Sequence, residues 1–75
     1  MPFIDIKVIQ GVFTPEEKRE MVERVSEAVI AVEGEALRQA TVTAVTETPS
    51  GEWAFGGRTL TASDVKAMRA DGAPE

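Results

Sequence analysis

Seventy-five residues suffice for one domain, 1–75, and eight Lys and Arg against thirteen Asp and Glu leave a net charge of −5. The basic residues are scattered rather than gathered into a stripe, which argues against nucleic acid as a partner; no apolar run approaches a membrane span, and the first residues lack a basic-then-apolar signal region. Without Cys or His, disulfides, the common zinc sites and the Ser-His-Asp and Cys-His arrangements are all excluded.

Pro2 to Ile9 alternates, with Ile4, Ile6 and Val8 on one face and Phe3, Asp5, Lys7 and Ile9 on the other, and reads as a strand that Gly11 ends. Thr14-Pro15-Glu16-Glu17 is a helix start: a capping threonine, a proline suited to the first turn, and a glutamate placed to close a capping box. Met21, Val22, Val25, Ala28, Val29 and Val32 follow at spacings of three and four as one apolar stripe, and Glu33-Gly34 supplies the stop. Gln39 to Glu47 is dense in Thr and Val and predicts a second strand, parallel to the first because a long helix joins them. Pro49-Ser50-Gly51 is a turn and Glu52 to Gly57 a small hairpin. Thr61 with Asp64 begins a short helix through Arg69, leaving 71–75 as a frayed tail. The fold class is therefore α/β (α+β): a β-α-β subunit with parallel strands, a small C-terminal hairpin and a short helix.

The apolar complement is thin. Val, Ile, Leu and Phe number 18, and ten further residues are alanine. A core of that size sits near the lower limit for a free-standing domain, so a homo-oligomer is expected. The absence of cysteine fits a cytoplasmic protein.

Chemistry has few places to reside. No glycine-rich phosphate loop is present, since Gly56-Gly57 does not open a helix. Most carboxylates map to helix faces and caps. Pro2 is different, because a small second residue permits removal of Met1 and leaves a prolyl secondary amine at the chain terminus. At the start of a buried strand, desolvation disfavours the charged amine and lowers its pKa towards neutrality, as a general base requires.

The context of Pro2 carries a resemblance. An opening Pro-apolar-Ile strand is followed by a capped helix holding Val25-Ser26-Glu27-Ala28-Val29-Ile30. A Val/Thr strand ending Thr46-Glu47 comes next, and then Ser50-Gly51-Glu52-Trp53-Ala54-Phe55-Gly56-Gly57. This arrangement resembles the tautomerase superfamily, most closely the short 4-oxalocrotonate tautomerase branch, over Pro2 to Leu60. The resemblance implies β-α-β subunits that share a four-stranded sheet as dimers and commonly assemble into hexamers. It implies a cofactor-free isomerase in which Pro2 moves a proton between the enol oxygen and a carbon of a small 2-hydroxy-enoic or 2-oxo acid. It places Trp53 as the aromatic wall of the site. The family's carboxylate-gripping arginines do not carry over: Gly11 is followed by Val12 and Phe13, and strand two has Val42 between Thr41 and Thr43. Arg38 and Arg58 are the candidate replacements, each either a solvated or ion-paired charge or a holder of one substrate carboxylate from an adjacent subunit. Phe3, Phe13 and Phe55 read as packing, and Glu52, beside a turn, as exposed. Two alternatives stand beside the isomerase: hydration or dehalogenation of a short unsaturated acid by the same proline, and a non-enzymatic oligomer whose site has decayed.

Overall fold

The computed structural model describes residues 2–72. Its elements run β1 (Phe3–Ile9), α1 (Pro15–Glu33), a 3-10 helix (Glu35–Ala40), β2 (Val42–Thr48), β3 (Trp53–Phe55), β4 (Arg58–Leu60) and α2 (Ala62–Gly72). β1 and β2 pair in parallel from Phe3 opposite Val42 to Ile9 opposite Thr48. The alternation in β1 has its expected consequence: Ile4, Ile6 and Val8 are half-buried while Phe3, Asp5 and Lys7 are exposed. On β2, Thr43 accepts a hydrogen bond from the Ser26 hydroxyl of α1 at 2.6 Å, and Glu47 pairs with Lys18 at 3.2 Å. The helix thus lies against one face of a two-stranded sheet.

The start of α1 is a complete capping box. The Glu17 amide donates to the Thr14 hydroxyl at 3.1 Å and the Thr14 amide to Glu17 Oε1 at 3.0 Å. Its packed face differs from the expected stripe. Ile30, outside the stripe, is the most buried residue of the helix, whereas Val32, inside it, is 90% exposed. Ile30 lies four residues beyond Ser26, which is bonded to the sheet, so that row faces β2 and Val32 points away from it. α1 ends where Gly34, at φ 106° and ψ 149°, takes a conformation that side chains resist while its amide still donates to the Ile30 carbonyl.

The next two boundaries shift from those predicted. Gln39 and Ala40 belong to the 3-10 helix rather than to strand two, which starts at Val42 and extends to Thr48. The Arg38 side chain reaches both Glu35 and Glu27 and holds this segment against α1, overriding the strand propensity of its neighbours. The hairpin also reaches further than Gly57. Gly56 and Gly57 form its turn, at φ 56° and 86°, and Arg58 opens its second strand opposite Phe55. α2 starts with reciprocal Thr61–Asp64 hydrogen bonds at 2.9 and 3.1 Å and continues past Arg69 through Asp71 and Gly72. The remaining part of the tail expected to fray, 73–75, lies outside the described residues. Arg69 pairs with Glu17 and sits 4.9 Å from the centre of the Phe13 ring, tying α2 to the start of α1.

Among the described residues only Ile9, Val12 and Ile30 form a buried apolar core. The subunit exposes 5414 Å², against about 4,500 Å² for a compact monomer of its mass. Its radius of gyration, 14.8 Å, likewise exceeds the roughly 11 Å of a compact chain of this length. No helix among the described residues is long and apolar enough to cross a membrane.

Candidate active site

Pro2 stands immediately before β1, and its carbonyl accepts a hydrogen bond from the Val42 amide at 3.1 Å. The first rung of the parallel ladder therefore holds the residue whose nitrogen is the candidate base. The half-buried ring lines an open cavity of about 710 Å³ whose walls are Val25, Ala28, Val29, Val32 and Leu37, with Glu33 as its one ionisable side chain among the described residues. Val25, Ala28, Val29 and Val32 belong to the apolar stripe of α1, and Leu37 comes from the 3-10 helix. An apolar setting of this kind penalises a charged amine and favours its neutral, basic form.

Trp53 lies elsewhere in the subunit. It lines a second cavity, about 250 Å³, with Lys7, Val8, Ile9, Phe55 and Met68 among its walls, at the far end of β1 and under α2. Seven residues of extended strand, roughly 23 Å, separate Ile9 from Pro2. One subunit does not bring Pro2 and Trp53 together. Val12, at the position after Gly11, packs into this second cavity and is buried, whereas Val42 lies exposed beside Phe3 at the start of the sheet.

The two arginines have different surroundings. Arg38 is fully engaged: Nε donates to Glu35 Oε1 at 2.5 Å, Nη1 to Glu27 Oε2 at 2.6 Å, and Nη2 to both glutamates at 3.1 and 3.2 Å. The pairing lowers the pKa of both carboxyls and raises that of the guanidinium, through hydrogen bonds first and charge second. Arg58 is exposed on β4 and pairs with no carboxylate among the described residues. Glu52 is exposed, as are Phe3 and Phe55, while Phe13 is half-buried under Arg69.

Sequence reasoning does not single out Glu33, which reads there only as the last residue before a glycine stop. The available signal is its position: a carboxylate closing a helix whose last turn carries no basic side chain.

The family profile described as Tautomerase enzyme matches residues 2–63. The chain belongs to the tautomerase family. Among solved structures it is similar to YwhB, a homologue of 4-oxalocrotonate tautomerase, at 32% identity and TM-score 0.67, over 84% of this chain and 97% of that one. A 4-oxalocrotonate tautomerase isozyme from Methylibium petroleiphilum is 30% identical with TM-score 0.68, over 85% and 97%. DmpI from Helicobacter pylori is 26% identical with TM-score 0.67, over 88% and 97%. Among curated proteins the chain has no match. The β-α-β unit, the parallel pair and the trailing hairpin of this tautomerase are those of the 4-oxalocrotonate tautomerase fold, and at the level of the family the chain is a tautomerase-type enzyme.

Proposed function

We propose that this tautomerase isomerises a small 2-hydroxy-enoic or 2-oxo acid by moving one proton with Pro2, whose nitrogen becomes a free secondary amine when Met1 is removed. The observation that carries the reading is the placement of Pro2, with its carbonyl fixed by Val42 and its ring on an apolar cavity. The neutral nitrogen takes the proton of the enol hydroxyl, and the electron pair of that O–H bond closes the carbonyl. The double bonds shift, and the protonated nitrogen returns the proton to the conjugated carbon. The substrate's own conjugation stabilises the developing enolate, so the protein's tasks are placement and charge complementarity. No cofactor or metal enters this scheme.

The acid group of the substrate needs a cation. Arg58 is the better placed of the two arginines, because Arg38 would first have to leave both glutamates. Arg58 and Trp53 stand on the two strands of the same hairpin, Trp53 opposite Leu60 and Arg58 opposite Phe55, far from their own Pro2. The reading therefore includes a homo-oligomer, dimer-based or hexameric, in which the hairpin of one subunit meets the Pro2 cavity of another. A soluble, cytoplasmic setting and a small acid as the only other partner complete it.

Pro2→Ala tests the mechanism. It replaces the secondary amine by a primary one of different basicity and geometry, and turnover of a 2-hydroxydienoate is expected to fall by about tenfold or more, with circular dichroism unchanged. Parent-like turnover in Pro2→Ala, or an intact mass that retains Met1 in fully active protein, overturns the reading.

A further inference from the structure

Glu33 is the polar group of the Pro2 cavity that the proposed reaction leaves unused. It lines that cavity, and its two oxygens are treated differently. Oε2 accepts a hydrogen bond from the Thr41 hydroxyl, which also lies 2.9 Å from the Leu37 carbonyl. Oε1 is buried and finds no hydrogen-bond partner among the described residues. A carboxylate oxygen shut away from water without a donor is costly, and such an atom calls for an explanation.

The position of Glu33 sharpens the question. It is the last residue of a 19-residue helix whose final turn holds no basic side chain. The partial negative charge of the helix end and the carboxylate therefore add at one spot, the reverse of the favourable arrangement. Both features ask for a cation, and the other walls of the cavity are apolar.

The backbone brings one. Thr41, which holds Oε2, directly precedes Val42, whose amide holds the Pro2 carbonyl. Glu33 and Pro2 are thus fastened to adjacent residues of the same short stretch. We propose that Glu33 is the positioning residue for Pro2: Oε1 accepts a hydrogen bond from the ring nitrogen in its protonated form. A prolyl ammonium has two N–H bonds. Glu33 holds one, which leaves the other aimed at the substrate carbon that receives the proton. The same contact favours the protonated amine and so opposes the desolvation imposed by the apolar walls.

On α1 itself, Glu16, Arg19 and Glu23 are exposed and lie ten or more residues before Glu33, about 15 Å or more along the helix, and the charges nearer the cavity are already paired. Arg38 on the 3-10 helix is held by Glu27 and Glu35. On β1, Asp5 is bonded to Lys7 and Thr46. On β2, Glu47 pairs with Lys18 near the opposite end of the strand.

The inference rests on the proton-carrier reading of Pro2, and the experiment separates the two. Pro2 is labelled with nitrogen-15 and titrated by NMR in the parent, in Glu33→Gln and in Glu33→Asp, alongside pH profiles of kcat/KM on a 2-hydroxydienoate. Gln keeps the shape and the Thr41 contact but removes the charge. The pKa of the Pro2 nitrogen is expected to fall by about one unit in Glu33→Gln and by less in Glu33→Asp, where the oxygen is withdrawn by one methylene. The acid limb of the profile should move to lower pH with it, and kcat should fall more than KM rises. A nitrogen that titrates identically in parent and variants, with activity lowered evenly at every pH, overturns the role of Glu33 alone. A parent whose Pro2 nitrogen does not titrate overturns both readings. Should Glu33→Gln fail to fold, the Glu33→Asp titration decides on the same criterion.

Discussion

At the scale of single residues, the charge that matters to stability is at the start of α1. Glu17 serves its capping box and also receives the Arg69 guanidinium, which, ahead of the Thr14 amide, draws its carboxyl pKa down to about 2. A carboxyl held below its unfolded value stabilises the fold above that unfolded pKa, near 4.5, and the contribution fades as pH falls towards 2. Because the pair is half exposed, solvent screens much of it. Arg69→Ala is therefore expected to lower the melting temperature more at pH 6 than near pH 2, where only the Phe13 contact is left to lose, a difference that calorimetry at the two pH values measures. The capping box was legible from Thr14 and Glu17 alone because capping is local. Arg69 as its third partner was not, because the two residues are 52 positions apart. The same limit applies at the candidate site: the sequence points to Pro2, Trp53, Arg38 and Arg58 by type and order, while the engagement of Arg38 and the spare oxygen of Glu33 depend on contacts that order does not encode.

At the scale of elements, periodicity and capping residues recover β1, α1, β2 and α2 in type and order and place a hairpin after β2, but they stop it at Gly57 and miss its second strand, Arg58–Leu60; tertiary contacts decide the ends. β2 starts late because the residues before it are captured as a 3-10 helix by Arg38. α2 runs past Arg69 because Arg69 is itself anchored on Glu17 and Phe13 rather than left at a free end. The packed face of α1 is centred on Ser26 and Ile30, a rotation that the broad run of valines on either side conceals. The exit of this helix is its weak point. A Cβ at Gly34 would meet nothing within 4 Å, so the cost of Gly34→Ala comes from the backbone alone. At φ 106° and ψ 149° that cost is about 1–3 kcal/mol. Chemical denaturation should register a loss of this size with an unchanged m-value; a neutral result would mean that the helix exit relaxes freely.

At the scale of the whole molecule, the subunit is incomplete as a folded object. A two-stranded sheet is marginal by itself, and among the described residues β1 and β2 pair only with each other, leaving both outer edges open. Phe3 and Val42 lie exposed side by side at the sheet's start, and the accessible surface is about a fifth larger than a compact monomer's. Sedimentation at micromolar concentration is expected to give a dimer or a larger closed assembly, with no folded monomer. The length of β1 adds a consequence for how activity is inherited within such an assembly. Since Pro2 and the hairpin stand at opposite ends of the strand, a chain damaged at one end remains a competent donor of the other. Pro2→Ala and Arg58→Ala preparations, each impaired alone, are expected to complement when unfolded together and reassembled. Random mixing in equal amounts would leave roughly a quarter of the sites with both parts intact, and the recovered turnover counts, by genetics rather than by geometry, how many chains make one site.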